Sequence, residues 1–210
     1  MTQIAFLVPA TTNRRDWKDY TETDLYMFLL KSLEDHPPDG VEITMLIGYD
    51  ADDTMYSVAE NRMKFNAVFD NIILKWYEYD ASYKGKPTWI WNSLGDIAIN
   101  QGFEWMKVLG SDILTPKDKG WVGKMINDLK KTKKIGIAGG DSGNPNLPMT
   151  QFLIHKTHIQ TFGWIFPMLK LSNVGGAPRY DPKNDRQLCD MLLKRHKPAV
   201  NRLINKLSSQ

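Results

Sequence analysis

The sequence predicts a single α/β domain built on a mostly parallel mixed sheet of about six strands flanked by helices. Three observations carry this reading. Short apolar runs alternate with amphipathic stretches, the order in which parallel strands and crossover helices follow one another. Several of the runs are continuously apolar rather than alternating, as strands covered on both faces are. The chain has 210 residues, enough for one full hydrophobic core without covalent staples.

The strands are expected at 4–9 (IAFLVP), 41–49, 71–79, 104–110, 134–140 and 151–156. The helices are expected at roughly 20–35, 54–69, 89–101, 118–131, 158–166 and 185–206. The fourth helix is the clearest: Trp121, Val122, Met125, Ile126 and Leu129 fall on one face, while Lys119, Lys124, Asn127 and Lys131 do not. No internal repeat occurs, and no linker is long enough to divide the chain. The turn formers of DSGNPNLP (141–148) make a loop between two strands long enough to be functional. The tail NKLSSQ reads as a polar end or as the edge of a longer multidomain protein.

Composition narrows the setting. The chain is 42% hydrophobic and 24% charged, ordinary values for a globular domain. Its single cysteine, Cys189, excludes an internal disulfide and suits a packed thiol in a reducing compartment. No stretch reaches the length of a membrane span, and MTQIAFLVPA lacks a basic leader and a cleavage site, so a cytoplasmic location is expected. A formal net charge of +3 is too small to make nucleic acid the partner. Acids dominate the first half and bases follow from Lys117 onward, a pattern of solvated faces or of a surface that tolerates an anion.

In an open parallel sheet, ligands bind beyond the carboxyl ends of the strands. The residues expected there are Pro9 to Arg15, Tyr49 to Asp53, Asp80 to Lys86, and Ser111 with Asp112. Carboxylates, hydroxyls and cations converging on one rim suit a phosphate ligand bridged by a divalent metal. The sequence contains no GxxxxGK[ST], no GxGxxG after the first strand, no HExxH or paired CxxC, and no GxSxG. These absences disfavour a P-loop, a dinucleotide fold, a zinc site and a serine-hydrolase elbow.

The stretch GKPTWIWNSLGDIAINQGFEWMKVLGSDILTPKDKGWVGKM, with FLVPATTNRRDW before it and QFLIHKTHIQTFGWIFP after, resembles the GT-A glycosyltransferases. Together these segments span about three quarters of the chain. Within that family the resemblance is to the N-terminal domains of chlorovirus glycosyltransferases that build capsid glycans. It implies a GT-A (Rossmann-like) fold, Mn²⁺ or Mg²⁺, and a UDP-sugar donor carrying glucose or L-rhamnose. It also implies an oligosaccharide or glycoprotein glycan as acceptor and, for a viral protein, a place in the host cytoplasm.

The implied roles fall on particular residues. Asp112 matches the last acid of the family's metal motif; the preceding positions, usually acidic, are Gly110 and Ser111. Asp50 matches the acid that accepts from uracil N3–H. Pro9, Ala10 and Thr11 match the turn along the nucleotide, Arg14 or Arg15 could reach phosphate, and Asp80, Lys86 and Asn92 match the stretch near ribose and diphosphate. His155 and His158 are candidates for an additional metal ligand, and Trp164 for an acceptor surface. Asp141 is the candidate base of an inverting enzyme; in a retaining one, Gln151 would face the anomeric carbon instead. Plainer roles exist beside these, since an Asp after a strand is commonly a turn residue or helix N-cap. Two other functions stay open: a sugar-1-phosphate nucleotidyltransferase, although PATTNRR lacks its glycines, and a non-catalytic scaffold, which the thinned metal motif favours.

Overall fold

The structure is a computed structural model that describes residues 1–139 and 151–166, all within one compact unit, Met1–Ser172. Asp141, the loop 141–148, Cys189 and the expected helix 185–206 lie outside the described residues.

Six strands form one sheet: β1 Thr2–Ala10, β2 Val41–Asp50, β3 Ile73–Tyr79, β4 Trp105–Val108, β5 Ala138–Gly139 and β6 Phe152–His155. Their spatial order is β3-β2-β1-β4-β6-β5. β1 pairs in parallel with β2 and β4, and β2 with β3; β6 runs antiparallel to both β4 and β5. The chain thus winds outward from β1 to β3, then returns to lay β4 on the other side of β1. That reversal makes the carboxyl ends of β1 and β4 a topological switch point, where open α/β sheets hold ligands.

The continuous apolar runs are explained by cover on both faces. Ile4 to Val8 of β1 are all fully buried. Ile4, Phe6 and Val8 face one layer, with Leu29, Leu33, Phe65, Trp121 and Ile126; Ala5 and Leu7 face the other, with Ile90, Leu94 and Ile159. The first layer holds a π-helical turn Leu25–Leu30 running into α1 Lys31–Asp35, with α2 Ala59–Val68 and α4 Trp121–Lys131. The second holds α3 Pro87–Asn100 and α5 Lys156–Phe162. Each fully buried large side chain contributes about 1.5–3 kcal/mol. α3 lies so close to the sheet that a Cβ on Gly48 would collide with Ile90 Cγ2, and it would stand 2.8 Å from Tyr79 Cε2 of the neighbouring β3.

Several elements depart from the sequence expectation for identifiable reasons. The helix expected over 20–35 is broken: Asp19 caps a 3-10 turn, Tyr20–Glu22, which ends in extended backbone at Thr23. The buried Leu25, Leu29, Leu30 and Leu33 then follow the wider π turn into α1. Of the strand expected over 134–140, the described residues 134–139 hold only Ala138–Gly139 in strand, because Lys133, Lys134 and Gly136 take positive φ and cannot extend. α5 starts earlier than expected because His155 caps it, and ends at Gly163 in the left-handed conformation.

Candidate functional site

The rim beyond β1 and β2 is organised by a residue to which sequence reasoning gave no separate role. Asp53 is fully buried and carries five hydrogen bonds. Its Oδ1 accepts from Thr12 Oγ1 (2.7 Å), Met55 N–H (3.0 Å) and Tyr56 N–H (2.8 Å). Its Oδ2 accepts from Thr12 N–H (2.5 Å) and Thr11 Oγ1 (3.3 Å). A carboxylate with this many donors is tolerated away from water. The backbone bonds to residues two and three positions on are the turn chemistry of Asp; the bonds to Thr11 and Thr12 fasten the β1 loop to the β2 loop. The signal in the sequence was the spacing Asp50-x-x-Asp53, in which one Asp serves the turn and leaves the other free.

The other one is Asp50, the last residue of β2, which is 8% exposed. Its Oδ2 accepts from Asn13 Nδ2 (3.1 Å) and Thr11 Oγ1 (3.4 Å); its Oδ1 takes no hydrogen bond from a described residue. Burial pushes the Asp50 carboxyl above the usual range, the Asn13 amide opposes that, and the charge of Asp52 adds to it. Such a carboxylate gains from an incoming N–H donor. Asn13 also donates to Asp52 Oδ1 (3.4 Å), and Lys84 closes on Asp52 Oδ2 from the β3–α3 loop. Arg14, exposed beside them, holds a left-handed backbone (φ 68°), which costs a non-glycine residue about 1–2 kcal/mol.

At the β1–β4 seam the two strands part. Leu109 N–H still donates to Leu7 C=O (3.2 Å), but β1 continues through Val8, Pro9 and Ala10 with β2 as its only strand neighbour among the described residues. Pro9 points its missing N–H to the same side as Leu7 does, toward the gap that β4 has left, so no ladder bond is lost. Beyond Leu109 come Gly110, Ser111 and Asp112. Asp112 is exposed and its carboxylate folds back over Gly110, where a Cβ would meet Asp112 Oδ1 at 2.7 Å.

Other predicted residues are occupied locally. Asp80 accepts from Ser82 N–H (2.7 Å), an ordinary turn contact. Lys86 donates to Ser82 C=O (2.8 Å) and lies over the Trp89 ring at 4.0 Å, and Arg15 pairs with Asp24 (3.4 Å). Asn92 does not reach toward the rim loops. Its Nδ2 donates to Phe166 C=O (2.7 Å), and its Oδ1 accepts from the N–H groups of Ile165 (2.9 Å) and Phe166 (2.8 Å). His155 sits at the opposite edge of the sheet. β6 is antiparallel, so His155 pairs with Trp105 at the start of β4, while Asp112 follows the end of β4. Its Nδ1 also accepts from Thr157 N–H (3.2 Å), the bond that caps α5. His158, one turn into α5, is on that same edge. These two histidines and Asp112 do not share an ion.

Comparison with solved structures gives a match to a mannosyltransferase, PcManGT from Pyrobaculum calidifontis in complex with GDP-Man and Mn2+. The TM-score is 0.52 at 12% sequence identity, over 83% of this chain and 49% of that one. The chain folds as a GT-A domain. It spans about half the length of the mannosyltransferase it matches. No family model and no curated protein sequence matches.

The fit of a divalent cation follows from the donor set. Among the described residues no three His, Cys, Asp or Glu side chains are grouped to hold an ion. Asp53 is taken up by Thr11 and Thr12, and Asp50 is held by Asn13 and Thr11 through one oxygen, whereas Asp112 is an exposed carboxylate on the switch-point loop with no hydrogen bond from a described residue. One carboxylate, completed by phosphate oxygens and water, suits Mg²⁺ or Mn²⁺ arriving with a diphosphate.

Proposed function

We propose that this domain is a glycosyltransferase that moves a sugar from a nucleoside-diphosphate donor to a glycan acceptor. The observation that carries the reading is the placement of Asp50 and Asp112 on either side of the β1 rim of a GT-A sheet, each with carboxylate oxygen free of protein partners among the described residues.

Asp50 Oδ1 accepts the imide N–H of the nucleobase; uracil N3–H and guanine N1–H both offer it, whereas cytosine N3 has no proton. The sequence resemblance favours UDP-glucose or UDP-L-rhamnose. GDP is the second reading, favoured by the GDP-Man held in the similar structure. Asp53 keeps the Thr11–Asn13 turn in register with Asp50, so the base meets a preformed edge. Asp112 would hold the cation, which would neutralise charge on the leaving diphosphate. In the transfer the acceptor oxygen bonds to the anomeric carbon, the carbon–oxygen bond to the diphosphate breaks, and the diphosphate leaves with the electron pair. The acceptor proton passes to a base. Asp141 is the candidate in an inverting enzyme, and Gln151, just before β6, is the group proposed to face the sugar in a retaining one. The chlorovirus setting and the glycan acceptor rest on the sequence resemblance alone.

Thermal melting with UDP, GDP and CMP, each with and without Mn²⁺, tests the reading, since a ligand of the native state raises the melting temperature by mass action. UDP or GDP with Mn²⁺ is expected to raise it, and CMP to leave it unchanged. No shift with any nucleotide would favour the non-catalytic scaffold, to which Gly110 and Ser111 in the metal motif already lend weight.

A further inference from the structure

We propose that Trp91 is a positioning residue: its indole N–H pins the point where β1 and β4 part and so sets the width of the crevice that receives the donor diphosphate. The proposal rests on the donor reading above.

Trp91 projects from the first turns of α3, and its Nε1–H is shared between two carbonyls, Leu7 O and Leu109 O, each at 3.1 Å. These are the last ladder residue of β1 toward β4 and the first residue of β4's exit. Leu109 C=O has left the sheet and needs a donor; Leu7 C=O already accepts from Leu109 N–H at 3.2 Å and has a second lone pair. One indole hydrogen therefore bridges the seam where the strands diverge. Two residues beyond Leu7 stands Pro9, and three beyond Leu109 stands Asp112, so both rims of the crevice grow from the pinned carbonyls.

The indole is itself fixed. Its ring packs on Phe166 with centroids 5.2 Å apart, and the neighbouring Asn92 holds the Ile165–Phe166 backbone by three hydrogen bonds. α3 thus carries two adjacent side chains that tie β1, β4 and the segment after α5 together. Phenylalanine at position 91 would keep an aromatic ring against Phe166 but lose the bridge and part of the indole's volume, a packing loss that the Ile159→Ala control also imposes. The Asp50 side, held through Asp53, does not depend on Trp91.

The test is isothermal titration of UDP and of GDP, with and without Mn²⁺, into wild type, Trp91→Phe and Ile159→Ala. The last loosens the same apolar layer without touching either carbonyl. In Trp91→Phe the metal-free affinity is expected to stay within about twofold, while the gain from Mn²⁺ falls about tenfold, the scale of one lost hydrogen bond. Ile159→Ala is expected to melt lower yet keep the full Mn²⁺ gain. An undiminished gain in Trp91→Phe, or an equal loss in both variants, overturns the positioning role. No binding of either nucleotide to wild type overturns the donor reading and this proposal with it.

Discussion

Asp50 and Asp53 are separated by two residues and have opposite uses. Asp53 is consumed by the fold: its oxygens receive two backbone N–H groups of its own turn and three donors from Thr11 and Thr12. Asp50 spends one oxygen on Asn13 and Thr11, and its other oxygen takes no hydrogen bond from a described residue. Changing Asp53 to Asn puts an amide N–H₂ against at least one backbone N–H whichever way it turns, since Thr12 N–H meets one oxygen and the Met55 and Tyr56 N–H groups meet the other. Asp53→Asn is therefore expected to lose about 2–4 kcal/mol of stability in urea unfolding, and Asp50→Asn to lose far less. Equal losses would contradict the division of labour. Residue types and spacing identified the cluster but not the division, because which carboxylate meets which donor depends on the β1 loop, 41 positions before Asp53 at Thr12. Lys86, Asp80 and Asn92 show the same limit. Each is a plausible ligand group by type, and each is engaged by backbone only a few residues off or across the α3–α5 contact.

At the scale of elements, β4 carries a feature that the apolar run around it conceals. Lys107 lies in the middle of the strand, 2% exposed, on the same face as Trp105 and under α4. Its ammonium reaches Met125 Sδ (3.8 Å) and the Trp121 ring (5.4 Å). Burial pulls its pKa down to about 7. The unfolded chain keeps that proton to far higher pH, so between about pH 7 and the ordinary lysine range unfolding takes up a proton. Stability therefore rises with pH across that window and is lowest below it. Lys107→Met is expected to raise stability at pH 7 by about 1–3 kcal/mol and to flatten the rise between pH 7 and 10 in denaturant titrations. A destabilised variant would mean that the amine has a partner worth more than its burial costs. Burial acts in the same direction on His158, whose pKa falls to about 4, so stability also rises between that pH and the ordinary histidine range. The strands themselves were legible because cover on both faces demands continuous apolar sequence. The direction of β6 was not, since an apolar run reads the same either way. That reversal carries His155 to the far edge of the sheet.

Across the described unit, the sheet order decides where the strand ends lie. Three parallel ladders meet at β1 and β2 and send the carboxyl ends of β1 through β4 to a single edge, as the order of the apolar runs leads one to expect. What sequence could not supply was the seam: that β4 leaves β1 at Leu109, that Trp91 bridges the parting carbonyls, and that Asp112 turns back over Gly110. The similar mannosyltransferase shares the fold at 12% identity, so the donor chemistry must be tested on this chain itself. The most direct measurement is an anomalous difference map, at the manganese edge, of crystals grown with Mn²⁺ and with UDP or GDP. The expected result is a manganese peak joining an Asp112 carboxylate oxygen to the diphosphate, with the base edge against Asp50. A nucleotide bound elsewhere, or a manganese peak with Asp112 turned away from it, would contradict the proposed donor site.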